Sequence, residues 1–321
     1  MTLIVALADS SVAAIIADRR ISHGQSVLDD EYNKVTVLFC ADARLAVAFT
    51  GLATHGSFDT STWIAETLHA IGETIRDIHS VLEEFRRRAG ARFSTFLEDD
   101  RRLTIVFCGF VYWTESPEPR VFVLSNFEHG GSASSSFTLR TSGGPNSTLL
   151  ELAGTSAHVS ERTTERLRSL LNANVPPSSL VRFAVRHLQN AAKDERSLRR
   201  IGEQCNAAVI HSAIDTPVTN TYHTAKNANR AYGPNVVVLG SLVCLGSEVM
   251  APSILAGPEI RKQDPCWCDS GLTFKRCHMR KYGAVYLNHP AWNRPLVSMI
   301  RCTSDQGWSA GMHFCVQGGY A

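Results

Sequence analysis

Two short apolar runs open the chain, Thr2–Ala8 (TLIVALA) and Val12–Ala17 (VAAIIA), joined by Asp9-Ser10-Ser11. That spacing predicts two strands in a hairpin. A second pair follows, in which Lys34–Cys40 (KVTVLFC) and Leu45–Phe49 (LAVAF) flank Ala41-Asp42-Ala43-Arg44 and Gly51 ends the second run. Between Asp59 and Ala89 the period changes: Trp63, Ile64, Leu68, Ile71, Ile75, Ile78, Leu82 and Phe85 recur at steps of three and four, with charged residues between them. A long amphipathic helix, or two in succession, is expected there. Strands return at Leu103–Tyr112 and Val121–Phe127, separated by a turn at Ser116–Pro119 and followed by a Gly/Ser-rich loop from Gly130 to Ser136.

Leu149–Ala153, Thr163–Leu171 and Ser178–Ala192 read as helices, the last capped by Ser178 or Ser179, and Cys205–His211 and Val236–Leu245 read as strands. The order strands, helices, strands, helices, strands suits a layered α+β sandwich rather than a parallel doubly wound sheet. After Pro252 the chain turns to Pro, Gly and charge, which places a boundary near Gly257. From Tyr286 onward there are two tryptophans, Trp292 and Trp308, but no clear period.

Composition narrows the function classes. A chain of 321 residues, 44% hydrophobic and 19% charged, buries at least one sizeable core with room for a small second unit. Its 32 basic and 30 acidic residues leave a net charge of +2, so no global field favours nucleic acid or an acidic membrane as a partner. The apolar start resembles a secretion signal only superficially, because nothing basic precedes it, Asp9 interrupts it and Asp18-Arg19-Arg20 follows at once. No stretch reaches the roughly 18 uncharged apolar residues of a spanning helix. Nine cysteines, an odd number spread along the chain, argue against a secreted disulfide framework and for a reducing compartment, the cytoplasm.

Candidate chemistry begins at Thr2, whose small side chain permits trimming of Met1. The threonine would then carry a free α-amino group, which with an ordinary pKa of about 8 can take the proton of its own hydroxyl. A nearby lysine would lower that pKa by charge repulsion. Thr2, Ala17-Asp18, Gly24 and Lys34-Val35 stand in the order and spacing of the proteasome β-subunit family, the N-terminal nucleophile (Ntn) hydrolases that include the peptidase subunits of bacterial ATP-dependent proteases. The chain resembles that family from residue 2 to about 211. Further matches are Phe49-Thr50-Gly51-Leu52-Ala53, Thr141-Ser142-Gly143-Gly144-Pro145, Asp194-Glu195-Arg196-Ser197 and the glycine-led run Ile201–Ile210.

The resemblance implies a four-layer αββα sandwich of two antiparallel sheets and cleavage of a peptide or amide bond in a protein or peptide substrate. It makes Thr2 the nucleophile and Gly51 N–H the oxyanion donor, with Lys34, held by Asp18, tuning the amine. Ser142, Asp194 and Ser197 would hold the amine and its water, and Ile21, Tyr32, Phe49 and Ala53 would line an apolar substrate pocket that Phe49 shortens. Self-association through the helices is implied as well. Leu52 and Leu198 stand where the family commonly has small residues, and the stretch from Arg86 to Arg102 is densely charged. These departures leave open a catalytically silent scaffold. Taken singly, the polar residues also admit ordinary roles: an ion pair for Asp18, a solvated Lys34, a turn at Ser142, a helix cap at Asp194 and Ser197.

Near the C-terminus, Pro265–His278 (PCWCDSGLTFKRCH) resembles the SEC-C motif. The resemblance implies one structural zinc per chain, held by Cys266, Cys268, Cys277 and His278, three thiolates and an imidazole that close a tetrahedral set. So small a segment would draw its folding energy from the metal. Arg276, Arg280 and Lys281 give it a basic face, which by itself reads as a solvated surface and which the resemblance makes a contact for a protein or ribosome partner. The expected organisation is thus an Ntn-hydrolase domain over 1–257, a zinc module over 258–285 and a tail over 286–321.

Overall fold

The computed structural model describes residues 2–23, 26–97, 101–127, 133–154, 161–173, 175–216, 218–223, 230–232, 234–240, 242–245, 248–250, 273, 276, 296–304 and 308–313. Its opening hairpin is β1 (Leu3–Ala8) and β2 (Val12–Asp18), in which Leu7 faces Ala14. Asp9 closes the turn by accepting the N–H groups of Ser11 and Val12 at 2.7 and 2.9 Å. A short ribbon, β3 (Ile21–His23) and β4 (Ser26–Asp29), leads to the second hairpin, β5 (Val35–Phe39) and β6 (Ala43–Gly51). After β7 (Thr54–His55) and β8 (Phe58–Asp59), the amphipathic stretch forms two helices, α1 (Thr60–Gly72) and α2 (Ile78–Phe93). Their N-caps, Asp59 and Asp77, accept from Thr62 N and Ser80 N and satisfy amides that each first turn leaves unpaired.

The chain continues through β9 (Leu103–Val111), β10 (Glu118–Ser125), β11 (Thr138–Gly143) and β12 (Leu149–Gly154), then α3 (Glu161–Asn172) and α4 (Pro177–Lys193). It ends with β13 (Cys205–His211), β14 (Val218–His223), β15 (Arg230–Tyr232), β16 (Asn235–Val238), β17 (Leu242–Cys244), β18 (Glu248–Met250), β19 (Leu296–Ser304) and β20 (Trp308–His313). The result is a mixed fold of sheets and, among the described residues, four helices. No helix among those residues is long and apolar enough to cross a membrane.

Two seven-stranded sheets organise the core, one in the order β12-β1-β2-β13-β14-β19-β20 and the other β11-β10-β9-β6-β5-β16-β17. Every ladder of the first is antiparallel. In the second, β16 runs parallel to β5 with Asn235 opposite Thr36, a correction to the expectation of wholly antiparallel sheets. Strand alternation sorts the side chains between faces. Ile4, Ala6 and Ala8 join Val35, Val37, Val106 and Phe110 in a cluster drawn from both sheets. Their neighbours Leu3, Val5 and Leu7 pack instead with Leu167, Leu180 and Leu188 of α3 and α4. On the second sheet, Leu45, Val47 and Phe49 meet Ile64, Leu68, Leu82 and Phe85 of α1 and α2. Burial on both faces explains why β1, β2 and β9 read as continuous apolar runs.

Two local expectations need correction. Leu149–Ala153 is not a helix but β12, paired along β1 from Leu3–Gly154 to Ala8–Leu149; a segment that short cannot sustain a helix, and the ladder supplies its backbone partners. Helix α4 is capped by neither Ser178 nor Ser179: Pro176 occupies the cap without a side-chain hydrogen bond and Pro177 begins the helix, where its fixed φ and missing N–H cost nothing. The aperiodic tail contributes β19 and β20, and Val218 of β14 lies opposite Ile300.

His223 ties stability to pH at the acid end. His223, opposite Cys205 at the end of β14, has its pKa lowered from 6.5 to about 4 by burial. As pH falls below 6.5 the unfolded chain takes up this proton while the folded one does not, so stability drops until the folded value near 4 is reached. The loss is on the order of 3 kcal/mol over that window. Chemical denaturation at stepped pH should show it, and His223→Gln should flatten that part of the profile.

Candidate functional site

Four strand ends converge at this site, the starts of β1, β5 and β13 and the end of β2. Thr2 precedes β1 and is only 3% exposed, and Asp18, at the end of β2, is fully buried. The Asp18 carboxylate accepts Leu3 N–H at 2.8 Å, Arg20 N–H at 2.9 Å and Gly202 N–H at 3.2 Å, tying the entry to β1, the exit from β2 and the approach to β13 into one node. Lys34, just before β5, sends its amine into this node. Its Nζ lies 2.5 Å from Thr2 Oγ1 and 3.4 Å from Asp18 Oδ1, and it also donates to the Arg20 carbonyl. Burial pushes the Lys34 pKa down; the Asp18 charge opposes this without cancelling it.

Gly51 closes β6 at φ +115°, and a Cβ there would stand 2.0 Å from the Arg102 carbonyl oxygen, so only glycine fits. A cavity of about 330 Å³ opens at this point, lined among others by Thr2, Lys34, Gly51, Ile21, Phe49 and Ala53. Leu52 is part of the same wall. Tyr32 is not on that wall. Its hydroxyl donates to Asp59 Oδ2 at 2.7 Å and its ring meets Phe49 edge-on at 6.2 Å, so it backs the pocket residue rather than facing the cavity. Burial and the Asp59 carboxylate raise the Tyr32 pKa and keep the phenol neutral.

Ser142 lies elsewhere. It sits on the edge strand β11 opposite Val121, which is opposite Cys108, which is opposite Ala46. Three ladders across and five residues along from Gly51 make a separation of roughly 20 Å. Its neighbour Gly143 answers a local need, since a Cβ would stand 2.3 Å from the Pro119 carbonyl oxygen. The segment that does reach Thr2 is the end of β12, where Gly154 faces Leu3 and leaves no space for a Cβ against the Thr2 carbonyl.

Asp194 ends α4 and caps a 3₁₀ turn at Glu195–Ser197, accepting Arg196 N–H at 2.9 Å and pairing with the Arg196 guanidinium. Ser197 is buried, with Oγ 3.5 Å from the Ala192 carbonyl oxygen. Neither lines the cavity. Their segment reaches the node through Gly202 and through the carbonyls of Arg199 and Ile201, which accept from Arg20. Leu198 and Arg199 both adopt left-handed φ, +50° and +60°, a strain of roughly 1 kcal/mol or more each that glycine would avoid.

Residues 264–280 match the SEC-C motif. No curated protein matches the chain. Among solved structures the chain is similar to "Anbu (ancestral beta-subunit) from Yersinia bercovieri", at 13% identity and a TM-score of 0.45, over 66% of this chain and 82% of that one. It is also similar to an Anbu (Gly-1) mutant from Hyphomicrobium sp. strain MC1, at 10% identity and a TM-score of 0.46, over 78% and 89% of the two chains. Within the SEC-C motif, Thr273 and Arg276 are described, joined by a turn hydrogen bond of 2.9 Å, while Cys266, Cys268, Cys277 and His278 lie outside the described residues.

One polar residue at the centre of the site, Thr50, has no role among the sequence expectations. Thr50, directly before Gly51, accepts Thr2 N–H at 3.2 Å. Its place beside a required glycine was the available signal.

Proposed function

We propose that this chain is a threonine-type Ntn hydrolase that cleaves peptide or amide bonds with Thr2 as nucleophile once Met1 is removed. The observation that carries the reading is the 2.5 Å approach of Lys34 Nζ to Thr2 Oγ1, buried and opening on a cavity. Three acceptors surround Nζ, namely Thr2 Oγ1, Asp18 Oδ1 and the Arg20 carbonyl, and they match the three donors of an ammonium. When Lys34 loses a proton, its lone pair must face a donor, and only the Thr2 hydroxyl is one. Burial favours that neutral form. The amine of Lys34 is therefore placed to take the hydroxyl proton directly, a larger role than tuning the α-amine.

In this mechanism Thr2 Oγ adds to the substrate carbonyl while its proton passes to Lys34, and Gly51 N–H meets the oxyanion. Collapse breaks the C–N bond, the proton passes from Lys34 through the neutral Thr2 α-amine to the leaving amine, and an ester on Thr2 remains for water to hydrolyse with that amine as base. Ile21, Phe49 and Ala53 give the first substrate site an apolar wall. The three hydrophobic clusters support the finer αββα layering, helices outside and two sheets within. Asp194 and Ser197 shape the strained segment that delivers Gly202 to Asp18.

We assign the zinc ligands to Cys266, Cys268, Cys277 and His278. Three sulfur donors and one nitrogen donor fill a tetrahedral shell, which fits a structural ion and leaves no open position for chemistry. The metal would hold the SEC-C segment in a shape that a protein partner can bind. Cytoplasmic residence and self-association through the helices complete the proposal. A catalytically silent scaffold is the second reading, favoured by the displacement of Ser142 from the node.

Native and intact mass spectrometry test these claims together. The purified chain should lack Met1, carry one zinc, and gain the mass of a peptide β-lactone, whose ring opens on Thr2 Oγ without a leaving group. Thr2→Ala should gain none. A retained Met1 or a Thr2-independent adduct would select the scaffold.

A further inference from the structure

Thr50 occupies a position with no assigned role. It lies on β6 opposite Thr104, one residue before Gly51, and is 2% exposed. Its Oγ1 stands 3.2 Å from Thr2 N and 3.4 Å from Thr2 O, so one hydroxyl spans both backbone polar atoms of the candidate nucleophile. Gly154 closes the other side, for a Cβ there would lie 1.8 Å from Thr2 O and 2.9 Å from Thr50 Oγ1. Thr2 is clamped between a hydroxyl and a bare backbone, in a space that excludes a larger group.

The hydroxyl's valence settles its direction. It has one proton and two lone pairs. Thr2 O can only accept, so the Thr50 proton goes there, and toward Thr2 N the hydroxyl can only accept. A free amine at that nitrogen would have one N–H fixed on Thr50, and its lone pair would be turned away from Thr50. An amine with no such partner rotates about N–Cα and spends part of its time misdirected.

We propose that Thr50 is the positioning residue for the Thr2 α-amine, the part that the sequence resemblance gave to Ser142; this rests on the hydrolase reading above. The hydroxyl acts through the amine and touches no substrate atom. Because an acceptor favours the charged form of the amine, it also holds the amine's pKa above the value the site would otherwise give it.

The test is the inactivation rate constant of the full chain with a peptide β-lactone, measured as a function of pH by intact mass for wild type, Thr50→Val, Thr50→Ala and Thr50→Ser. Thr50→Val keeps the shape and removes the hydroxyl. It should lower the limiting rate roughly 10- to 100-fold, leave the β-lactone's half-saturating concentration within about twofold, and move the acid limb to lower pH by about half a unit or more. Thr50→Ser should stay within about threefold of wild type with an unshifted limb. If Thr50→Val fails to fold, Thr50→Ala carries the same expectation. An unchanged limb and rate in the hydroxyl-free variants, or a serine variant as impaired as valine, would overturn the proposal while leaving the hydrolase reading intact. A wild type that forms no adduct would overturn both.

Discussion

Replacing Asp18 by alanine is expected to cost about 3–5 kcal/mol of folding stability, the largest single effect outside the hydrophobic core. The carboxylate is fully buried, accepts three backbone N–H groups and lies 3.4 Å from the Lys34 amine. Truncation leaves those amides without their acceptor and strands a buried lysine beside the Arg20 main chain. Urea denaturation would show a lower midpoint. The deficit should shrink at alkaline pH, because Lys34, whose pKa is already lowered by burial, then folds neutral and needs no counter-charge. Adding Lys34→Met should recover part of the loss for the same reason. A deficit below about 1 kcal/mol would show that water reaches the node and that the carboxylate is not its organiser.

Lys34→Met should reduce the β-lactone reaction of Thr2 by roughly 10²- to 10⁴-fold, the range expected when a positioned base is removed. Lys34→Arg separates two explanations. A guanidinium keeps the positive charge yet does not give up its proton in the accessible pH range, so it can stabilise an alkoxide but cannot accept the hydroxyl proton. If Lys34 acts as a base, arginine should be as inactive as methionine, and the wild-type rate should rise with pH as Lys34, its pKa brought down by burial, and the Thr2 α-amine both lose their protons. Substantial activity in the arginine variant would assign Lys34 a purely electrostatic part.

Much of this arrangement was legible in the chain because short-range patterns produce it. The Asp9 turn forces β1 and β2 into a hairpin, and the three- and four-residue steps of Ile64, Leu68 and Ile71 put them on the buried side of α1. Thr2, Asp18 and Lys34 meet because all three sit at strand ends in those early hairpins. The failures share a cause in long-range pairing. Leu149–Gly154 has no strand-like alternation and becomes a strand because β1 offers it a ladder some 150 residues away. The Ser-Gly pair that the local pattern offers, Ser142-Gly143, lies on an edge strand, whereas the strand end that abuts Thr2 is Gly154. The parallel ladder of β5 with β16, and the arrival of β19 beside β14, are equally invisible to local pattern, since they depend on which edge is left open once the earlier strands have paired.

The Asp18 node also sets when the site can exist at all. Its acceptors are filled by amides at positions 3, 20 and 202, so the carboxylate takes its final place only when β13 has docked along β2, with Cys205 opposite Asp18. A chain still emerging from the ribosome, or one halted with only its early hairpins formed, holds Thr2 and Lys34 but not the geometry that joins them. Completion of the fold is thereby the step that joins Thr2 to Lys34, and under the proposed hydrolase reading it would withhold the nucleophile from the crowded interval in which unfolded neighbours are its nearest substrates.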